Sequence, residues 1–314
     1  MGHAQAQTAR GVKLGVMPSL VEGSLNGRTP RYKDMEAIAQ RAEQLGFDSL
    51  WLADHLIFRR PDAEEFGPWE IFTFLSALAA VTHRITLGPL VAATSFRNPA
   101  LLAKMADSLD EISNGRFILG LGAGWHEPEY QAFGYPFDHL YTRFAEALDI
   151  ISRLLHGERV THTGTFYQTH ETFLRPRGPS RSGPPIWIGA SGPKMLELAA
   201  RYADGFNTVW HTDPQEVRER LAAFDAACEK VGRDPGAIEH TIGTDVRMLE
   251  GDEQPENPAQ RVIEGTAEQV AERLREMVAA GAQHIIAHVE PRGLVGIERY
   301  ARVRQILARE GLEA

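Results

Sequence analysis

The stretch Ile186-Trp187-Ile188-Gly189-Ala190-Ser191-Gly192-Pro193 packs a strand, a bare turn and a helix start into a few residues. Its apolar run has no polar alternation, which suits a strand covered on both faces, as in parallel sheets. The small residues Gly189, Ala190, Ser191 and Gly192 leave backbone N–H groups open. Pro193 fits the first position of a helix and Ser191 is a candidate cap. Bare amides at a helix N-terminus make a phosphate site. The competing reading is a tight turn that simply needs glycine.

The same strand-then-helix unit recurs on both sides. Apolar runs at Val12–Met17, Ser49–Ala53, Ile85–Val91, Phe117–Leu121, Phe206–Trp210, Thr241–Leu249 and His284–Val289 are the other strand candidates. Helical spacing joins Met35, Ile38, Ala42 and Leu45. It also joins Leu101, Leu102, Met105, Leu109 and Ile112, and then Val270, Leu274, Met277 and Val278. Gly46, Gly115, Gly232 and Gly281 stand where helices stop. Strict alternation fits a closed barrel or a doubly wound open sheet. Eight evenly spaced strands favour an α/β fold of the (β/α)8 TIM-barrel type. A flexible tail at 1–11 and one barrel domain at 12–314 are expected. Two insertions break the rhythm: His126 to Leu140 after strand four, and His156 to Pro185 before strand five, with a hairpin around Gly164. Long insertions in compact domains are often lids.

The composition, 43% hydrophobic and 24% charged, rules against disorder. A net charge of −9 gives no electrostatic footprint for nucleic acid or an anionic membrane. No apolar run approaches the roughly twenty residues a membrane span needs. The first ten residues lack the apolar core of a signal peptide. The lone Cys228 sits among Val217, Leu221, Phe224 and Val231 and reads as core, so a reducing, cytoplasmic setting is expected.

In barrels the loops after the strands carry the chemistry. Asp54 and His55 follow strand two, a carboxylate beside an imidazole that could move a proton. The bland alternative is that Asp54 caps a loop. Gly120-Leu121-Gly122-Ala123-Gly124-Trp125-His126 follows strand four. It departs from the dinucleotide fingerprint in spacing and in place. Glycines there let a flat ring approach the backbone, or mark a bulge. Trp210 and His211 follow strand six, and with Trp125 and His126 they form the expected substrate pocket. His288, Glu290 and Arg292 follow strand eight without an assigned role. Among the 12 histidines no ligand spacing indicates a metal: His284 and His288 stand roughly 13 Å apart along one strand.

These residues together resemble the luciferase-like monooxygenase superfamily, especially members that use the deazaflavin coenzyme F420. The resemblance runs from Lys13 to about Leu307. It rests on Ala42 to Trp51 leading into Asp54-His55, on Phe96 to Lys104, on Ser113 to Arg116, on Gly120 to Tyr130, on Arg143-Phe144, and on Pro185 to Gly192 leading to Ala199 to Gly205. It implies a ring held in the barrel mouth. A bulge in strand three, often with a non-prolyl cis peptide, would support the ring at Leu90 and Val91, with Ala92 beside them. It places Gly122, Ala123 and Gly124 beside the ring, Gly189, Ala190, Ser191 and Gly192 at the phosphate, and Asp54 and His55 near the reactive edge. Pro89 and Ala92 depart from the threonine often found there, which puts one cofactor hydrogen bond in doubt.

The implied activity is an oxidoreductase that moves a hydride between F420 and a small organic substrate. His55 is its general acid or base and Asp54 orients His55 or the ring. The alternatives are an FMN-dependent monooxygenase fed by a separate reductase, and a flavin-binding barrel without turnover. The basic segment Arg175 to Arg181, with Lys194, could meet the acidic tail of F420 or be a solvated loop. Relatives are often dimers, so a homodimer is expected.

Overall fold

The computed structural model describes residues 11–59, 64–255 and 261–312. Its strands are β1 (Lys13–Val16), β2 (Ser49–Leu52), β3 (Thr86–Pro89), β4 (Ala92–Ala93), β5 (Leu119–Gly122), β6 (Val160–Thr163), β7 (Gln168–Thr172), β8 (Ile186–Gly189), β9 (Gly205–Val209), β10 (Glu239–Met248), β11 (Ile263–Gly265) and β12 (His284–Glu290). Its α-helices are α1 (Tyr32–Gln44), α2 (Ile71–Val81), α3 (Pro99–Ser113), α4 (Glu127–Phe133), α5 (Leu140–Leu155), α6 (Pro193–Tyr202), α7 (Pro214–Val231), α8 (Ala267–Ala279) and α9 (Leu294–Arg309). The expected tail lies almost wholly outside the described residues.

Parallel strands run in the order β3-β2-β1-β12-β10-β9-β8-β5-β4. A parallel bridge between Leu87 and Phe117 joins the two ends into a nearly closed TIM-like barrel. β3 and β4 are two pieces of the third stave. Between them the Leu90–Val91 peptide bond is cis, at the position where the family resemblance places a bulge. β11 was not expected. It pairs with β10 above β9, Arg247 against Glu264, and its few residues after a polar stretch gave no periodic signal.

The barrel interior is filled rather than hollow. Trp51 and Trp187 stack at 4.5 Å between ring centres. Met17, Leu90 and Ile286 pack with them. Below this plug Trp51 Nε1–H donates to Ser49 Oγ, and that hydroxyl lies 2.7 Å from His284 Nε2. A second core, between staves and helices, takes the buried stripes: Met35, Ile38 and Ala42 of α1, and Val270, Leu274 and Met277 of α8. Cys228 is fully buried in it, and burial pushes its thiol up to about 11. Leu101 and Ile112, read as part of the stripe of α3, are instead about half exposed.

The first insertion is not all loop, because it folds α4 over the barrel mouth. The second contains the expected hairpin, β6 antiparallel to β7. Among the described residues no helix is long and apolar enough to cross a membrane.

Candidate functional site

Asp54 leaves the end of β2 and turns inward, where it is 4% exposed. Its carboxylate accepts two bonds from the Arg97 guanidinium, at 2.6 and 3.1 Å, and one from the Ala93 amide at 3.0 Å. Burial pushes the carboxyl's pKa up, and Arg97 and the Ala93 amide pull against it. Arg97 also reaches Glu70 at 2.7 Å, and Glu70 caps α2 through the Phe72 and Thr73 amides. Asp54 therefore ties β4 to β2 and to the start of α2. It does not orient His55, as the sequence reading had it, because both its oxygens serve Arg97.

Glu129 has that place. His55 Nδ1 lies 3.0 Å from Glu129 Oε1, and Glu129 Oε2 accepts the Leu56 amide at 2.8 Å. A carboxylate can only accept, so the proton sits on Nδ1 and Nε2 keeps a free lone pair. Phe58 at 4.5 Å and Trp125 at 5.5 Å flank the imidazole. Glu129 is buried on α4, the short helix missed in the first insertion. The sequence signal was present in Trp125-His126-Glu127-Pro128-Glu129, but the pairing needs the fold of that insertion.

Val91 faces the barrel mouth, half-buried, while Ala92 beside it is fully buried. The glycines of β5 are set against this bulge. A Cβ on Gly120 would lie 2.1 Å from the Pro89 carbonyl, and one on Gly122 would lie 2.6 Å from a Val91 methyl. The bulge thus already explains those two glycines. Val91, Gly122 and Gly189 come together at one spot. Ala123 gives its carbonyl to the Tyr130 hydroxyl at 3.0 Å, and Gly124 packs against that same hydroxyl.

At the end of β8, Ser191, Gly192 and Pro193 are exposed and lead straight into α6. Gly192 is the N-cap, with no side-chain cap bond, so Ser191 is not the cap. A Cβ on Gly192 would meet nothing within 4 Å. The first turn of α6 therefore offers its amides to an open space beside the mouth.

Of the expected substrate-pocket residues, Trp125 is 65% and Trp210 37% exposed. His126 is buried and accepts the Arg59 amide at 3.3 Å. His211 is buried too: Nε2 meets Thr208 Oγ1 at 2.8 Å, Nδ1 meets Glu216 at 3.4 Å, and burial lowers its pKa. These two histidines brace the loops rather than line an open pocket. The basic segment, read as a cofactor-tail contact or a solvated loop, has two residues tied to α3. Arg177 pairs with Asp107, and Ser180 bonds to Asp110, both on the C-terminal half of α3. That half points to the face opposite the α6 N-terminus, while Lys194 stands in the first turn of α6.

Across the mouth stands a second histidine. His288 Nδ1 lies 3.0 Å from Asp245, and the Trp210 ring is 6.2 Å away. Above it Glu264, Arg247 and Glu290 occupy one row of the sheet. Among the described residues no group of three or more His, Cys, Asp or Glu is placed to hold a metal ion.

A family model described as luciferase-like monooxygenase matches residues 12–263. The chain belongs to the luciferase-like monooxygenase family. It is 30% identical to the 5,10-methylenetetrahydromethanopterin reductase of Archaeoglobus fulgidus over 74% of this chain and 65% of that protein. It is 36% identical to an F420-dependent glucose-6-phosphate dehydrogenase of Microbacterium testaceum over 61% of this chain and 57% of that protein. The matched part thus spans less than two thirds of either relative's length. Among solved structures, a riboflavin lyase with modified FMN and riboflavin superposes with a TM-score of 0.81. It covers 97% of this chain and 93% of that one at 16% identity.

Proposed function

We propose that this chain is an F420-dependent oxidoreductase that transfers a hydride between the deazaflavin and a small organic substrate. The observation that carries the proposal is the 36% identity to an enzyme named for F420 dependence, in a chain whose mouth has a proton-transfer dyad. The basic segment no longer supports it. The residues fit such a cofactor on two counts. Val91 offers an apolar shelf above the Trp51–Trp187 plug, and the open turn Gly189 to Gly192 offers helix-start amides to a phosphate.

When bound, F420 supplies a carbon that gives or takes a hydride, and the protein supplies placement and proton management. His55 Nε2 takes a proton from, or returns one to, the substrate oxygen. Glu129 keeps the imidazole in the required tautomer. The Asp54–Arg97 pair fixes Ala93 and with it the bulge under the ring. Trp125 forms an apolar wall beside His55. The lone buried Cys228 supports a reducing, cytoplasmic setting as part of the same proposal.

The test is titration of the apo-protein with F420 and, separately, with FMN, following tryptophan fluorescence. Saturable F420 binding is expected. Tight FMN binding with no F420 binding would overturn the proposal in favour of the oxygenase reading.

A further inference from the structure

The tips of β10, β11 and β12 enclose an open cleft of about 380 Å³ lined by Asp245, Arg247, Arg261, His288 and Glu290. None of these residues has a part in the dyad at His55. Along β12 the side chains of His284 and Ile286 point into the barrel, against Ser49 and Trp51. Two residues on, the strand period carries His288 to the same face, at the mouth. The cleft therefore opens where a substrate would enter.

Its charges are already matched. Arg247 meets Glu290 at 2.9 Å and Glu264 at 3.4 Å. Arg261 meets Glu216 at 3.2 Å, and Arg292 meets Glu290 at 3.2 Å. Arg247 and Arg261 thus line the cleft with the carboxylates of Asp245 and Glu290, and each arginine is already ion-paired. A phosphate entering here would have to displace a carboxylate from its arginine and leave it unpaired, which is costly in a partly buried site. Arg292 does not relieve this, since it is not among the residues that line the cleft. Arg292 instead lines a separate cavity of about 20 Å³ with Met17 and Ser24, which has room for about one water.

Hydrogen-bonding capacity remains. His288 uses Nδ1 on Asp245, so Nε2 is an acceptor. Burial pushes its pKa down, with Asp245 opposing, which works toward a neutral ring. The cleft sets the Asp245 and Glu290 carboxylates and the Arg247 guanidinium in the same lining as His288, and the Trp210 ring lies 6.2 Å from it.

We propose that this cleft holds the non-reacting end of the substrate, and that this end is an uncharged group bearing several hydroxyls rather than a phosphate. The proposal rests on the reading of the mouth as a substrate site. It departs from what a relative named for glucose 6-phosphate would lead one to expect.

The test uses the full chain without cofactor, so the outcome of the F420 titration does not affect it. The reporter is the His288 imidazole signal in NMR, assigned by its loss in His288→Gln. It distinguishes this cleft from the α6 turn, which also suits anions. Inorganic phosphate is expected to leave the signal in place in the parent. Neutral polyols (glycerol, glucose and inositol are the probes) are expected to move it saturably in at least one case. Glu290→Gln frees Arg247 and Arg292 from a shared carboxylate and is expected to gain phosphate binding by about tenfold or more over the parent. The proposal is overturned if phosphate saturates the parent signal as well as it does the variant's. It is equally overturned if no polyol moves the signal, or if only a cationic probe such as ethylamine does.

Discussion

Asp54→Ala separates a structural clamp from a reacting group. The carboxylate holds Arg97 by two bonds and the Ala93 amide by a third. Removing it strands a guanidinium whose side chain is only 10% exposed, with Glu70, itself 42% exposed, as its remaining partner. Breaking one side of a buried pair costs ~3–5 kcal/mol. The entropy of unfolding is ~2.1 cal/mol/K per residue, which over 314 residues comes to ~0.66 kcal/mol/K. The thermal midpoint should therefore fall by ~5–8 °C, read by circular dichroism or calorimetry. The double variant Asp54→Leu with Arg97→Met buries no charge and should recover part of the loss. A midpoint within ~1 °C of the parent would refute the clamp. So would a double variant no more stable than the single one. An unchanged midpoint with cofactor binding abolished would instead make Asp54 a ligand-facing group.

Glu129→Gln removes the group that fixes the His55 tautomer, and its turnover should fall by ~10²-fold or more, close to the loss in His55→Gln. The double variant should fall no further, and a fully additive loss would separate the two residues. Gly120→Ala drives a methyl to within 2.1 Å of the Pro89 carbonyl and should cost ~1–3 kcal/mol in urea unfolding. Gly192→Ala meets open space and should cost ~1 kcal/mol or less. Glu239 is pushed up by burial, but His284 and Lys13 overcome this and hold it at about 2, against an ordinary 4.5. Its stabilisation is thus complete above 4.5 and lost as pH falls toward 2. Glu239→Gln should flatten the acid limb of an unfolding-midpoint profile over that window.

Strand order and helix faces were legible because each barrel stave is a local pattern. An apolar run closed by glycine or a cap reads the same wherever it occurs. Even the bulge at Leu90–Val91 could be placed, through the family resemblance. What escaped depended on partners distant in sequence. Asp54 and His55 are adjacent in the chain, so adjacency made them a pair. In the loop after β2 they take different partners, Arg97 just before α3 and Glu129 on α4. The glycines of β5 were ambiguous for the same reason. A ring and a valine methyl both forbid a Cβ, and only coordinates show that Val91 already occupies the position. β11 has too few residues to carry a period, and the charge of Arg175 to Arg181 said nothing about which face of the barrel it lies on.

The histidines show how a fold sorts residues that composition cannot. His284 bonds Ser49 through Nε2 while its Nδ1 lies 3.4 Å from Glu239 without a hydrogen bond, and His211 bonds Thr208 and Glu216 through its two ring nitrogens. Their rings are 2% and 7% exposed, and they act as struts. His55 and His288 each commit Nδ1 to one carboxylate, and their rings are 17% and 21% exposed. A neutral imidazole has one donor and one acceptor. A carboxylate that takes the donor leaves the acceptor, Nε2, for another group. The two dyads stand on different elements, β2 with α4 and β10 with β12. A single substrate can therefore meet a proton-transfer group at one end and a hydroxyl-binding group at the other. Burial lowers the pKa of His288. The two roles rest on separate carboxylates, Glu129 for His55 and Asp245 for His288.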